Sequence, residues 1–162
     1  MVVDFNAVKG GIEIIPLDND WQKAAHVYSD EVLISHRTDA EKGTPKFERG
    51  KSLSDYQCEM IYISGTAAIR GEESIVTGDV LVQTEITLEN IQHLIGLEEG
   101  REKLPEHSGK LELLRVYLKH EEDAKIVKED MDKLCPDVPI VYLYADVCRE
   151  ELLVEIEGIA YL

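Results

Sequence analysis

The stretch from Cys148 to Ala160 constrains the fold of this chain more than any other. From Leu152 its side chains alternate: Leu152, Val154 and Ile156 face one way, and Leu153, Glu155 and Glu157 the other. A period of two with one aliphatic face is a β-strand laid on a core. The second face sets two carboxylates beside Leu153 and Ile159. A carboxyl half-wrapped in aliphatic groups loses hydration, so its pKa rises toward the range useful for proton transfer. Two solvated glutamates on an exposed sheet face would fit the same pattern.

Upstream, Val138 to Val147 is apolar but for Asp146 and reads as a buried strand, joined to the last one by a turn at Arg149-Glu150. The clearest helix opens at Asp79 or Thr77, which can cap its first amides. Its buried face is Val80, Thr84, Thr87, Leu88, Ile91, Leu94 and Ile95, and Gly96 or Gly100 ends it before Pro105. Leu111 to Lys119 alternates as a strand, with Leu114, Val116 and Leu118 on one face and Arg115 and Tyr117 on the other. A second helix spans Glu121 to Leu134, with Ala124, Val127, Met131 and Leu134 inward and an acidic first turn that suits the helix dipole. Cys135-Pro136 closes it.

The first half is less periodic. Gly11 to Pro16 reads as a short strand ended by proline, and Val32-Leu33-Ile34 as another. Between them Asp20 to Tyr28 has weak helical spacing, with Asp18 or Asp20 as cap and Trp21 as a packing residue. Thr38 to Lys46 is a loop. Phe47 to Leu53 and Met60 to Ile69 are two strands joined near Ser54-Asp55, and Ser74 to Val76 is a short extension. Within the second strand, Ser64-Gly65-Thr66 suits a bulge whose exposed amides can receive an oxyanion. The order β-β-(β)-α-β-α-β-β gives an α+β layer, a mixed sheet with two helices on one face. Its other face needs a cover, which a second subunit packed sheet to sheet supplies.

Composition narrows the function classes. The 162 residues carry a net charge of −16, which repels phosphate backbones and anionic membrane surfaces, so neither nucleic acid nor membrane is an expected partner. No apolar run approaches the ~20 residues of a spanning helix. The N-terminus lacks the pattern of a signal peptide. Three cysteines without CxxC spacing (Cys58, Cys135, Cys148) argue against a disulfide framework and for a reduced, cytoplasmic setting. Cys148 itself reads as a packing thiol. The five histidines are scattered, so no metal site is expected, and no nucleotide-binding motif points to a cofactor.

In this order and spacing, several fragments resemble the RidA (YjgF, L-PSP) superfamily and, within it, the catalytic domain of chorismatases. They are Gly43-Thr44-Pro45-Lys46-Phe47, Ile63 to Ile69, Gly78-Asp79-Val80 with Gln83-Thr84, Leu88 to Ile91, Val116-Tyr117-Leu118 and Cys148 to Glu157. The resemblance covers residues 43–162 as one RidA-like domain and leaves 1–42 as an N-terminal extension. It implies a chorismate-mutase-like homotrimer with ligand clefts between subunits, acting on a small anionic enol, imine or chorismate-like metabolite.

Glu155 falls at the family's catalytic glutamate, an acid or base. The arginine by which RidA deaminases grip a carboxylate falls at Ile140, and its loss disfavours imine deamination. In the chorismatase branch the glutamate would protonate an enolpyruvyl group while arginines hold the carboxylates. Arg115 and Arg149 are the candidate clamps. Tyr117, Tyr142, Tyr144, Phe47, Ser64, Gly65 and Thr66 are candidate pocket residues. An Arg115 pair with Glu155 or Glu157 would serve a non-catalytic, small-carboxylate-binding or interaction trimer equally well.

Overall fold

The structure, a computed structural model, describes residue 7, residues 10–29, residue 32, and residues 43–54, 59–96 and 109–161. Leu33, Ile34, Asp55, Cys58, Gly100 and Pro105, each named in the reading above, lie outside these residues. The strands are β1 (Glu13–Leu17), β2 (Gly50–Ser54), β3 (Glu59–Thr66), β4 (Ile69–Arg70), β5 (Glu73–Ser74), β6 (Lys110–Leu118), β7 (Ile140–Tyr144) and β8 (Val154–Tyr161). The helices are α1 (Val80–Ile95) and α2 (Ala124–Leu134). Six strands form one sheet in the order β1-β2-β3-β8-β6-β7, antiparallel except for β6 with β7, and β4 and β5 make a small hairpin. The expected α+β layer is therefore present, with β8 near the middle of the sheet.

Both helices lie on one face. The core between them and the sheet holds Ile61, Ile63, Leu88, Ile91, Leu114, Val116, Leu118, Val127, Met131, Val154 and Ile156. Leu114, Val116, Leu118, Val154 and Ile156 are fully enclosed, as the alternation of β6 and β8 requires. Truncating any of these leucines to alanine should cost about 2–5 kcal/mol. Asp79 caps α1, its Oδ1 accepting from Leu81 and Val82, and Gly96 ends it at φ 78°, the left-handed region open to glycine.

The helix also buries amides that hydrophobic spacing does not reveal. Gln83 donates to the carbonyl of Glu151 (3.0 Å) and accepts from the amide of Leu153 (2.8 Å), which fixes the entry to β8. Asn90 donates to the carbonyls of Ala67 (3.0 Å) and Ile69 (3.1 Å), beyond the end of β3. Such buried amides are stabilising only while bonded, so they pin the segments that carry the site.

Several elements differ from the sequence reading. Pro16 does not end β1; it sits within it, since an edge strand needs no donor there. Asp20 to Tyr28 is not an α-helix. A turn and a bridge from Gln22 to Gly71 precede a short 3-10 helix at Ala25–Val27. Its backbone is drawn outward by Asn19, which accepts from the Trp21 amide and donates to the Asn90 carbonyl (both 2.9 Å). Trp21 stacks on His93 at 3.9 Å. Val32 lies in a turn. The helical residues of Glu121 to Asp123 form a 3-10 turn, and Leu134 is 45% exposed where α2 runs past the core. The strand expected at Val138 to Val147 is shorter and not buried: β7 is an edge, with Val141, Leu143 and Tyr144 exposed. Residues 13–28 join the same sheet and hairpin as the rest. Among the described residues no helix is long and apolar enough to cross a membrane.

Candidate active site

The face of the sheet away from the helices carries Glu155 and Glu157 on β8 and Arg115 and Tyr117 on β6. Arg115 stands opposite Glu157, and Tyr117 opposite Glu155. Arg115 Nε lies 2.6 Å from Glu157 Oε1. Tyr117 donates its hydroxyl to the same oxygen, and burial together with that carboxylate pushes its pKa up to about 12. Glu157 is thus doubly engaged. Glu155 is not: burial, and then the neighbouring charge of Glu157, raise its pKa above the ordinary 4.5. A carboxyl of this kind holds its proton longer and can act as an acid.

The carboxyl of Glu155 borders a cavity of about 440 Å³ whose wall includes Tyr28, Phe47, Arg49, Ser64, Gly65, Cys148 and Arg149. The ladder between β3 and β8 slips between Ile63 and Thr66, which places the expected irregularity at Ser64-Gly65. The missing side chain at Gly65 is what leaves the Glu155 carboxyl its place. A Cβ on residue 65 would stand 2.9 Å from Cδ of Glu155 and nearer still to its Oε1. The bulge therefore makes room for the carboxyl.

Two guanidiniums share this cavity. Arg49, only 3% exposed, donates through Nη2 to the Lys23 carbonyl (2.6 Å) and the Tyr28 hydroxyl (2.5 Å), while its buried Nε has no partner among the described residues. Arg149 is buried rather than solvated in its turn, and Nη1 donates to the Glu72 carbonyl (2.8 Å) and Ser74 Oγ (3.0 Å). Glu72 is itself anchored. The Ser29 amide (2.7 Å) and the Lys23 ammonium (2.9 Å) donate to its carboxylate and draw its pKa down to about 2. A cavity with one carboxyl of raised pKa and two buried cations is suited to a small anion carrying a group to be protonated.

Of the residues nominated from sequence, Glu155, Arg149, Phe47, Ser64 and Gly65 border this cavity. Arg115 and Tyr117 stay with Glu157 on the open sheet face. Thr66 is buried, its hydroxyl bonded to the Ser64 carbonyl at 2.9 Å. Ile140 and Tyr142 pack toward the helices, and burial pushes Tyr142 up to about 12. Tyr144 is exposed at the end of β7. Cys148 is not a packing thiol: it is exposed and lies on the cavity wall, where burial of its sulfur and the Glu155 charge raise its pKa. Sequence reasoning missed Tyr28 and Arg49. The second had a signal, since Arg49 follows Phe47 by two residues and shares its face in an extended segment.

No family model matches the chain. It is 36% identical over 136 residues to a chorismatase from Streptomyces rapamycinicus, covering 79% of this chain and 41% of that protein. It is also 36% identical over 128 residues to a 3-hydroxybenzoate synthase from Streptomyces hygroscopicus, covering 71% and 36%. The chain therefore spans well under half the length of these relatives. A chorismatase crystal structure superimposes with a TM-score of 0.73 at 29% identity, over 91% of this chain and 43% of that one. A YjgF-family protein from Mycobacterium tuberculosis shares the fold alone, with a TM-score of 0.54 at 18% identity over 72% of this chain and 86% of that one. By sequence the chain is similar to chorismatases over part of their length, and its fold is the one shared with the RidA (YjgF) superfamily.

Proposed function

We propose that this chain acts as a chorismatase-like enzyme, releasing pyruvate from the enolpyruvyl ether of a chorismate-like dicarboxylate. The observation that carries this reading is the carboxyl of Glu155, raised in pKa by burial and without a hydrogen-bond partner among the described residues, in a cavity bordered by two buried arginines. Arg49 and Arg149 hold the two carboxylates of the substrate through the guanidinium edges that the protein leaves open. Glu155 gives its proton to the methylene carbon of the enol ether, and the positive charge passes to the ether-bearing carbon. Water adds there, its surplus proton returns to Glu155, and the hemiketal breaks into pyruvate and the ring alcohol. Phe47 and the backbone at Ser64-Gly65 shape the pocket around the reacting group.

Imine deamination is the weaker reading, because the position of the family arginine holds Ile140, packed toward the helices. Further copies of the chain are placed on the open sheet face as a homotrimer. Support for that placement is the exposed apolar residues at the two opposite edges of that face, Ile14 on β1 and Val141 and Leu143 on β7, of the kind that contacts between subunits cover.

The test is pyruvate release from chorismate by the purified chain, beside Glu155→Gln. Turnover that falls about 10²- to 10⁴-fold in the variant is the expected result for loss of a general acid. Undiminished release by Glu155→Gln would remove Glu155 from the chemistry.

A further inference from the structure

Two like charges in one cavity repel each other, and something must hold Arg49 and Arg149 in fixed relation. Both guanidiniums lie against one side chain. The central carbon of Arg49 is 5.7 Å, and that of Arg149 5.4 Å, from the centroid of the Tyr28 ring. A ring face attracts cations at such separations. Arg49 is further held by Phe47, at 5.3 Å, and by donation to the Tyr28 hydroxyl at 2.5 Å. Tyr28 is only 8% exposed and borders the cavity.

Its own place is set by the β4–β5 hairpin. Lys23 donates its amide to the Gly71 carbonyl (2.7 Å), Gly71 donates to the Trp21 carbonyl (2.8 Å), and Ser29 donates to the Glu72 carboxylate (2.7 Å). The carbonyl of the same Glu72 receives Arg149. One short segment of chain thus reaches both cations.

We propose that Tyr28 is a positioning residue that ties Arg49 and Arg149 into one unit of fixed spacing, so that the cavity selects a dicarboxylate over a monocarboxylate. Among the described residues, protein acceptors occupy one terminal nitrogen of each fork, Nη2 of Arg49 and Nη1 of Arg149, and leave the other terminal nitrogen for a ligand. A ligand with two carboxylates at the right separation engages both forks without moving either. A monocarboxylate engages one and leaves the other uncompensated. This rests on the reading of the two arginines as carboxylate clamps.

The test compares chorismate with 3-hydroxybenzoate, a monocarboxylate, on the full chain with Tyr28, Tyr28→Phe or Tyr28→Leu. Affinities are read by calorimetry in the Glu155→Gln background, and KM and kcat in the native background. Tyr28→Phe, which keeps the ring and loses the bond to Arg49, should weaken chorismate binding about tenfold, and Tyr28→Leu about a hundredfold. KM should rise in step while kcat stays within about threefold, and 3-hydroxybenzoate should lose much less. Equal losses for both ligands, or no loss in Tyr28→Leu, would overturn the proposal. A native chain that binds chorismate tightly yet releases no pyruvate counts against the enzymatic reading alone, because calorimetry still decides the role of Tyr28. Failure to bind either acid would overturn the proposal together with the clamp.

Discussion

Glu155 and Glu157 sit two residues apart on one strand and one face, yet they occupy opposite chemical situations. Glu157 has a guanidinium 2.6 Å away and a phenol donating to it. Glu155 has Gly65 against its carboxyl, a cavity in front of it, and a raised pKa. The strand supplied both with the same exposure to that face. What separates them is the neighbouring strand: β6 delivers a cation and a donor to one, while the bulge of β3 delivers only space to the other. A reactive carboxyl is thus made less by what touches it than by which partners are withheld.

The most damaging way to break this contrast is to fill the space. In Gly65→Ala the added methyl meets the far end of a flexible side chain, so Glu155 can swing away without disturbing the backbone. Activity should fall on the order of 100-fold, the usual penalty for a catalytic group misplaced by about an ångström, while thermal stability changes little. Gly158→Ala supplies the control on the same strand as Glu155. There the methyl would meet the Leu113 carbonyl at 2.5 Å and Leu114 Cδ2 at 2.7 Å, which are backbone and core. That variant should lose about 1–3 kcal/mol of stability, visible as a lower denaturation midpoint. If Gly65→Ala instead unfolds and keeps its specific activity per folded molecule, the bulge is structural and the contrast fails.

A second effect is on stability against pH, and it has opposite signs at two glutamates. The folded pKa of Glu155 is raised, so the cost of ionising it in place is absent below about pH 4.5, where folded and unfolded chains are both protonated. It grows as pH rises from there to the folded pKa, and is constant above. Glu155→Gln should therefore raise the melting temperature at neutral pH and leave it unchanged near pH 4. Glu72 is the reverse case. Its folded pKa of about 2 contributes stability that is present above the ordinary 4.5 and lost as pH falls from 4.5 through 2. Glu72→Gln should lower the melting temperature at neutral pH and not near pH 2. A Glu155→Gln variant destabilised at neutral pH would mean that its carboxyl has a bonding partner after all.

The elements of this fold that obey one period were legible from sequence: β6, β8 and α1 were placed within a residue or two because alternation or capping fixed them. β8 in particular carried its own face assignment, and with it Glu155. The segment 20–28 is not the expected helix because side-chain-to-backbone bonds at Asn19 and Gln22, to partners about 50 to 70 residues away, outweigh a weak helical spacing. β7 was misread because an apolar run does not say whether a neighbour covers it. The site was half legible for the same reason. Glu155, Gly65 and Phe47 came from strand pattern and resemblance. Arg49 and Tyr28 converge on the cavity from separate segments, and no local periodicity encodes such a meeting. Arg115 was a reasonable candidate by type and face, and its geometry pairs it with Glu157.

The finest test reads the one line of influence between the two carboxylates. The charge of Glu157 helps raise the pKa of Glu155. Glu157→Gln removes that charge, so the pKa of Glu155 should drop. A general acid works only while protonated, and the decline of kcat/KM with rising pH should then begin at lower pH than in the native chain. Arg115→Met does the opposite. It strips Glu157 of its nearest cation and leaves a fuller negative charge beside Glu155, so the decline should begin at higher pH. Neither variant alters the cavity wall, and Arg115, being 40% exposed, should contribute only about 0.2–1 kcal/mol through its ion pair. Shifts of opposite sign in the two pH profiles, with stability nearly constant, identify Glu155 as the titrating acid. Shifts of the same sign would place the titrating group elsewhere in the cavity, and Cys148, raised partly by the Glu155 charge, is the group that would then be tested next.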